Sequence, residues 1–478
     1  MEKVVDLNRW HKEHVKTAQD LQEVFTEIQM RYQTDPFPDY AHRVEKLQKL
    51  KQALKAHQTE LIQAISEDYG YRSEFDSLIC DILPAVNHIH YTLSHLRKWM
   101  RPKRRSSGLL LAPSQTTVHF QPLGVVGVIV PWNFPIVLSL APIVTAIAAG
   151  NRVMVKLSEH TPKANRVLSD VFACLSDDIQ PVEGEAEISA LFSQLPFDHI
   201  LFTGSTAVGR LVAQEAAKNL TPVTLELGGK SPAIVAKDAD ITSAVDAIML
   251  GKSINAGQIC VAPDYVFVPE GKEHSFINTY LKRFDSAFAK RNQQREVTHI
   301  VNNGQYQRLQ SYLSDARSKG AKIHTIEAEP STGRQMLPHL VSNVTFDMRL
   351  MQEEIFGPIL PVVTYRHINE VTSYINSRPR PLALYLMSGS KTLQQQILQQ
   401  THSGGVCFND TLLHLAADDA PFGGIGESGM GQYHGIEGFR TFSKAKTVLT
   451  TPQWLPRSRI ILRWRNLAQK ALSTLFIR

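Results

Sequence analysis

The sequence predicts an α/β protein of two or three domains, built on parallel sheets covered by helices on both faces. Three observations carry that expectation. Short β-branched runs, "GVVGVIVPW", "RVMVKLS", "HILFTGS" and "SPAIVA", each end in turn residues. Helical stretches such as "PIVLSLAPIVTAIAAG" and "AVGRLVAQEAAKN" alternate with them, and that alternation is the pattern of a sheet buried on both faces. At 478 residues the chain is also too long for a single ordinary core.

Taken in order, residues 9 to 34 and 38 to 66 show helical apolar spacing among abundant Lys, Glu and Gln, with "TDPFP" as the break. "SEFDSLICDILPAVNHIHYTLSHLRKWM" continues in the same manner. A basic segment, "RPKRRSSG", then precedes "TTVHFQP", which alternates like an exposed strand. The strand–helix alternation follows and resumes between about 260 and 420. "KTVLTT" reads as a strand with an exposed edge. The end of the chain, "RIILRWRNLAQKALSTLFIR", sets Ile460, Trp464, Leu467, Ala471 and Leu475 on one helical face. The favoured reading packs that stripe on the domain or on a second subunit; the other lays it on an anionic membrane surface. Arg and Lys interrupt it too often for it to span a bilayer.

Charge is unevenly distributed. Residues 457 to 478 hold six basic and no acidic side chains, which leaves 45 of each in positions 1 to 456. A neutral body gives no reason to expect nucleic-acid binding. The four cysteines, Cys80, Cys174, Cys260 and Cys407, lie far apart with no C-x-x-C pair. That spacing speaks against a metal ribbon or a disulfide framework and fits a reducing, cytoplasmic setting. "MEKVVDLNRWHKEH" has no apolar signal core.

Several turns are placed to carry chemistry. In "FTGSTAVG" a strand, a Gly-Ser turn and a helix start bring Gly204 and Gly209 five residues apart, and backbone N–H groups at such a start receive phosphates. Gly-rich βα turns are common, so this motif alone is weak. "VKLSE" ends a strand with Lys156 and Glu159, which either grip a ribose or form a solvated loop. In "TLELGGKSP", Glu226 lies between two leucines. A carboxylate there needs a partner or a raised pKa, the property of a general base near neutrality. Asn133 in "PWNFP" is fixed at a strand end, as an oxyanion donor or as a turn former. Cys260, in "NAGQICVAPDYV", reads by itself as a small buried hydrophobe.

"PWNFP", "FTGSTAVG", "LELGGKSP", "NAGQIC", "EEIFGP" and "PFGGIGESGMGQYHG" occur in this order. Together they resemble the aldehyde dehydrogenase superfamily over residues 20 to 450. "APDYV" directly after the cysteine is similar to its class-three branch, and the fuller strings to bacterial coniferyl aldehyde dehydrogenases. The resemblance implies an aldehyde dehydrogenase fold. A Rossmann-like cofactor domain takes residues 1–107 and 123–225, and an α/β catalytic domain takes 226–430. An oligomerisation arm takes 108–122 and 440–450, and the basic tail 457–478 follows. A dimer is implied through the arm.

The implied reaction is oxidation of an aldehyde to its acid. Cys260 is the nucleophile of a thiohemiacetal and then a thioester, Asn133 and the Cys260 N–H receive the oxyanion, and Glu226 activates water. NAD is the implied cofactor, with NADP as the second option. Lys156 and Glu159 hold its adenosine ribose, and Gly204, Ser205 and Gly209 lie at the pyrophosphate end. Glu354 holds the nicotinamide ribose, with Phe356 beside it. Lys230 and Glu353 read as structural members of their motifs, and Cys407 as packing. "VKLSE" departs from the family in having Leu157 where proline is usual. An aromatic aldehyde such as coniferyl aldehyde is the implied substrate. Long-chain aliphatic aldehydes are the alternative, and a non-catalytic binding relative is the remote one.

Overall fold

Thr17 opens the first helix, Ala18–Thr34, through a reciprocal cap. Its hydroxyl accepts the Asp20 N–H while the Asp20 carboxylate accepts the Thr17 N–H. The computed structural model describes residues 17–288, 296–326 and 333–477, so the part of the 9–34 segment before residue 17 lies outside the described residues. The 38–66 segment is two helices, Tyr40–Ala56 and Gln58–Tyr69. They part at His57, whose ring nitrogen sits 2.9 Å from the Ala53 carbonyl and competes with the helical ladder. Helical backbone then runs from Glu74 to Trp99 through one π turn at Leu78–Ile82.

Two parallel sheets form the body. The first contains, in spatial order, Gly429–Met430, Val223–Leu227, His199–Gly204, Val125–Ile129, Arg152–Lys156 and Ile179–Val182. The chain enters at Val125–Ile129 and builds outward on both sides, so the strand order reverses there. Such a switch point opens a crevice at the carboxyl ends of the strands. The second sheet has seven strands among the described residues, with Ile359–Tyr365, Tyr265–Pro269 and Pro232–Val235 at its centre. Helix Val137–Ala149, buried from Ser139 to Ala149, packs against the first sheet.

The third sheet is antiparallel: Lys103–Arg105, Gln115–Pro122 and Ser443–Thr450, the last two paired from Ser443↔Pro122 to Thr450↔Gln115. Here the chain departs from the expected boundaries. Lys103–Arg105 belongs to this arm rather than to the first domain. Strand Val223–Leu227 completes the first sheet beyond residue 225, and Gly429–Met430 returns to cover its edge. An uncovered strand edge leaves backbone groups unpaired, which explains the return.

The tail forms helices Arg457–Arg463 and Arg465–Phe476, parted at Trp464. Its stripe does not pack on the domain: Ile460, Trp464, Leu467 and Leu475 are all exposed. The tail leaves from the arm strand Ser443–Thr450, which carries its helices clear of both cores. Among the described residues, no helix is long and apolar enough to cross a membrane.

Candidate active site

The cysteine turn begins where helix Ile241–Ser253 ends. Asn255, Ala256 and Gly257 are three successive left-handed residues with φ of 50°, 52° and 72°. Such backbone is strained for Asn and Ala and persists only when its surroundings over-determine it. Those surroundings are present. The Asn255 N–H donates to Asp76 Oδ2 at 3.0 Å, and Asn255 Nδ2 donates to the Asn133 carbonyl at 3.2 Å. The Gln258 amide bridges the Asn255 and His299 carbonyls, and its Oε1 accepts the Val301 N–H at 3.0 Å. A Cβ on Gly257 would lie 2.7 Å from the Gly357 carbonyl oxygen, so glycine is required there twice over.

Cys260, three residues on, is half-buried. Burial and the nearby carboxylates of Glu354 and Glu226 push its thiol up to about 12. Asn133 reaches the same turn from the first sheet, donating its Nδ2 to the Gln258 carbonyl at 3.2 Å. Arg72 holds the Asn133 carbonyl at 2.8 Å and pairs with Asp81, and both side chains are fully buried. Asp81 in turn accepts the N–H groups of Ile136 and Val137, which anchors "PWNFP" as a unit.

Glu226 stands on Val223–Leu227, buried, with neither carboxylate oxygen hydrogen-bonded within the protein. Burial raises its pKa well above the ordinary carboxylate range. Glu354 lies against the adjacent Gly-Gly turn, its Oε1 accepting the Gly229 N–H at 3.1 Å. A Cβ on Gly228 would fall 2.3 Å from its Oε2. Burial first, then the charge of Asp264, raises Glu354 to about 7. Phe356, at φ 49°, meets Trp132 edge-on at 5.3 Å.

Two groups escaped the sequence reading. Asp264, inside "APDYV", pairs with Lys230 and accepts the Ile355 N–H at 2.9 Å. Together with the Lys230 bonds to the Leu350 and Glu353 carbonyls, it ties the cysteine turn, the Gly-Gly turn and "EEIFGP" together. Its place within the motif was the available sign. Tyr433, in "GMGQYHG", is buried, and Glu226 and Cys260 add to burial in raising its pKa. Nothing local in the sequence marks it.

The remaining site residues share one sheet edge. Ser205 caps helix Thr206–Lys218. Gly204 and Gly209 also have a packing reason: a Cβ on either would strike Phe202 or Leu227 at 2.5–2.6 Å. Lys156 is buried, its Nζ donating to the Leu157 carbonyl at 2.7 Å and lying 3.6 Å from Glu159. The unusual Leu157 donates its N–H to the Val182 carbonyl at 3.0 Å, a bond proline would forfeit. Cys407 sits at the rim of the second core, and Asn409 is bonded to Ser388. Between the sheets lies a cleft of about 780 Å³, lined by Thr206, Arg210, Leu225, Arg380 and Glu427 among others. Beside it a smaller cavity reaches Gly228, Gly229 and Glu354. The volume of the larger cleft and the helix start at Thr206 beside it suit a dinucleotide. No group of side chains suited to a metal ion occurs among the described residues.

Comparison with known proteins gives one consistent result. The model of the aldehyde dehydrogenase family matches residues 10–448. A probable coniferyl aldehyde dehydrogenase of Pseudomonas aeruginosa is 48% identical over 460 residues, 96% of each chain. A substrate-bound Staphylococcus aureus AldH structure superposes with a TM-score of 0.86 at 35% identity, over 93% of this chain and 99% of its own. An NAD+ complex of aldehyde dehydrogenase from Bacillus cereus does so with a TM-score of 0.82 at 26% identity, over 91% of this chain and 89% of its own.

Proposed function

The chain belongs to the aldehyde dehydrogenase family, and on that premise we propose that it oxidises an aromatic aldehyde of the coniferyl type, with Cys260, Glu226 and Asn133 as its catalytic residues. The reaction is the NAD(P)-dependent conversion of an aldehyde to its carboxylic acid through a cysteine thiohemiacetal and a thioester. The supporting observation is convergence. A strand-end amide bonds the turn that carries a half-buried thiol, and a buried carboxyl without a hydrogen-bond partner acts electrostatically on that thiol.

Burial and the neighbouring carboxylates favour the protonated thiol, so attack requires a base. Glu226, its affinity for a proton raised by burial, takes the proton from Cys260. The sulfur bonds to the aldehyde carbon. The oxyanion accepts the Cys260 backbone N–H and the Asn133 amide, which has one N–H on the Gln258 carbonyl and a second to give. Bound NAD(P) supplies the hydride acceptor. Once Glu226 has given up that first proton to solvent, it draws another from water as that water attacks the thioester, and the Cys260 sulfur leaves as a thiolate.

The residues present fit the cofactor. Ser205 and the start of helix Thr206–Lys218 lie at the pyrophosphate end, flanked by Gly204 and Gly209. Lys156 and Glu159 take the adenosine ribose, Glu354 the nicotinamide ribose, and Phe356 packs beside it. A carboxylate at Glu159 accepts a 2′-hydroxyl and repels a 2′-phosphate, which favours NAD. The reading includes a cytoplasmic homodimer joined through the arm, supported by the free edge of Ser443–Thr450.

The test is a comparison of kcat/KM for coniferaldehyde, benzaldehyde, hexanal and dodecanal, each with NAD and with NADP. Coniferaldehyde with NAD is expected to lead, and dodecanal leading would overturn the substrate assignment. Cys260→Ser is expected to abolish turnover while NAD still binds by calorimetry.

A further inference from the structure

The arm and the tail share a property that the aldehyde chemistry does not use. Residues 101–122 and 443–478 carry twelve Lys or Arg and no Asp or Glu, which leaves the rest of the chain with 39 basic against 45 acidic side chains. The two segments are joined. Arg457 donates to the Leu111 and Ala112 carbonyls and to Ser114 Oγ, at 2.6, 3.1 and 3.0 Å. That bond places the tail beside helix Gly108–Leu111, whose Leu109 and Leu110 are 77% and 57% exposed.

On helix Arg465–Phe476, Leu467, Ala471, Leu472 and Leu475 lie on one side, with Asn466, Gln469, Lys470 and Ser473 opposite. Leu467 and Leu475 are 64% and 68% exposed, and Trp464, where the two helices meet, is 56% exposed. We infer that residues 457–477 are an interfacial segment that seats the protein, tail first, on an anionic lipid surface. Charge complementarity selects this occupant. An anionic bilayer satisfies the basic side chains and the apolar side together, the combination that defines interfacial helices. Tryptophan at the junction suits the headgroup level. The net negative remainder of the chain is repelled by the same surface, which orients the protein. A second copy meeting the tail helices across a two-fold axis, apart from any pairing along strand Ser443–Thr450, would bring the tail's like charges together. A nucleic acid would leave Trp464 and the leucines in water.

Full-length protein is mixed with vesicles of phosphatidylcholine, alone or blended with phosphatidylglycerol, and sedimented at low and high salt. Two triple variants accompany it: Trp464→Ser/Leu467→Ser/Leu475→Ser and Arg459→Glu/Arg463→Glu/Lys470→Glu. All six positions are exposed, and unchanged Tm and aldehyde oxidation check that both variants fold. The expected result is salt-sensitive sedimentation with the anionic vesicles only, weakened about tenfold or more in each variant. Wild type that stays in the supernatant, or variants that sediment as it does, would overturn the proposal. So would a smaller assembly of the apolar variant by light scattering without vesicle binding, or tighter binding to a DNA duplex than to vesicles.

Discussion

Asn133 donates its side-chain amide to the carbonyl of Gln258 at 3.2 Å, linking the end of a strand in the first sheet to the turn that presents Cys260. Its other N–H is the proposed oxyanion donor. Asn133→Ala is expected to lower kcat by about 10²–10³-fold, the usual effect of removing one such donor. Steady-state kinetics beside NAD binding will separate that loss from a cofactor defect, which would lower binding as well.

Glu226→Gln removes the proposed base without changing shape. Since both oxygens of Glu226 lack a protein partner, the substitution breaks no bond. A burst of one NADH per site followed by slow turnover is expected in stopped-flow traces, because hydrolysis of the thioester needs the base. A steady rate equal to wild type would remove Glu226 from that role.

Glu354, raised to about 7 by burial and Asp264, makes stability depend on pH. A carboxyl whose folded pKa exceeds its unfolded one holds its proton more tightly when folded. Its contribution is therefore complete below about pH 4 and is lost as pH rises through 7. Denaturant titrations of the cofactor-free protein should show Glu354→Gln retaining stability that wild type loses across this window, about 3 kcal/mol by the shift.

Asp264→Asn leaves Lys230 without its ion partner in a site where both groups are largely buried. A cost of about 3 kcal/mol in unfolding free energy is expected, since removing one member of a buried pair strands the other. Because the pair joins three motif turns, kcat/KM should fall with it. Intact stability with full activity would show that the Lys230 carbonyl bonds suffice.

Gly228→Ala pushes a methyl group into the Glu354 carboxylate. Displacement of this proposed cofactor-holding group by about 1 Å costs on the order of 10²-fold in kcat/KM. The loss should appear with NAD varied at saturating aldehyde, with the Cys260 thiol still titrating fully.

Much of this was legible in the chain itself. Glu226 between leucines announced a buried carboxyl, and the flanking "NAGQ" and "VAPDYV" set Cys260 apart from the other three cysteines. The strand runs from Val125 to Leu227 lie within a few residues of their expected places, because period and turn residues are local properties. The two-helix division at His57 was not legible, since the break comes from a ring nitrogen reaching its own carbonyl rather than from Gly or Pro. Tyr433 was missed because its link to Glu226 and Cys260 exists only after the chain returns at Gly429–Met430.

The sequence by itself determined which residues could react and which faces were apolar, including the tail's, because composition and spacing depend on near neighbours. Tertiary structure decided the rest: that the Cys260 thiol feels the carboxyls of both Glu226 and Glu354, that Lys230 and Asp264 bind three motifs, and that Trp464, Leu467 and Leu475 of the tail stay exposed. Those outcomes depend on distances between segments far apart in the chain, and burial and packing alone set such distances.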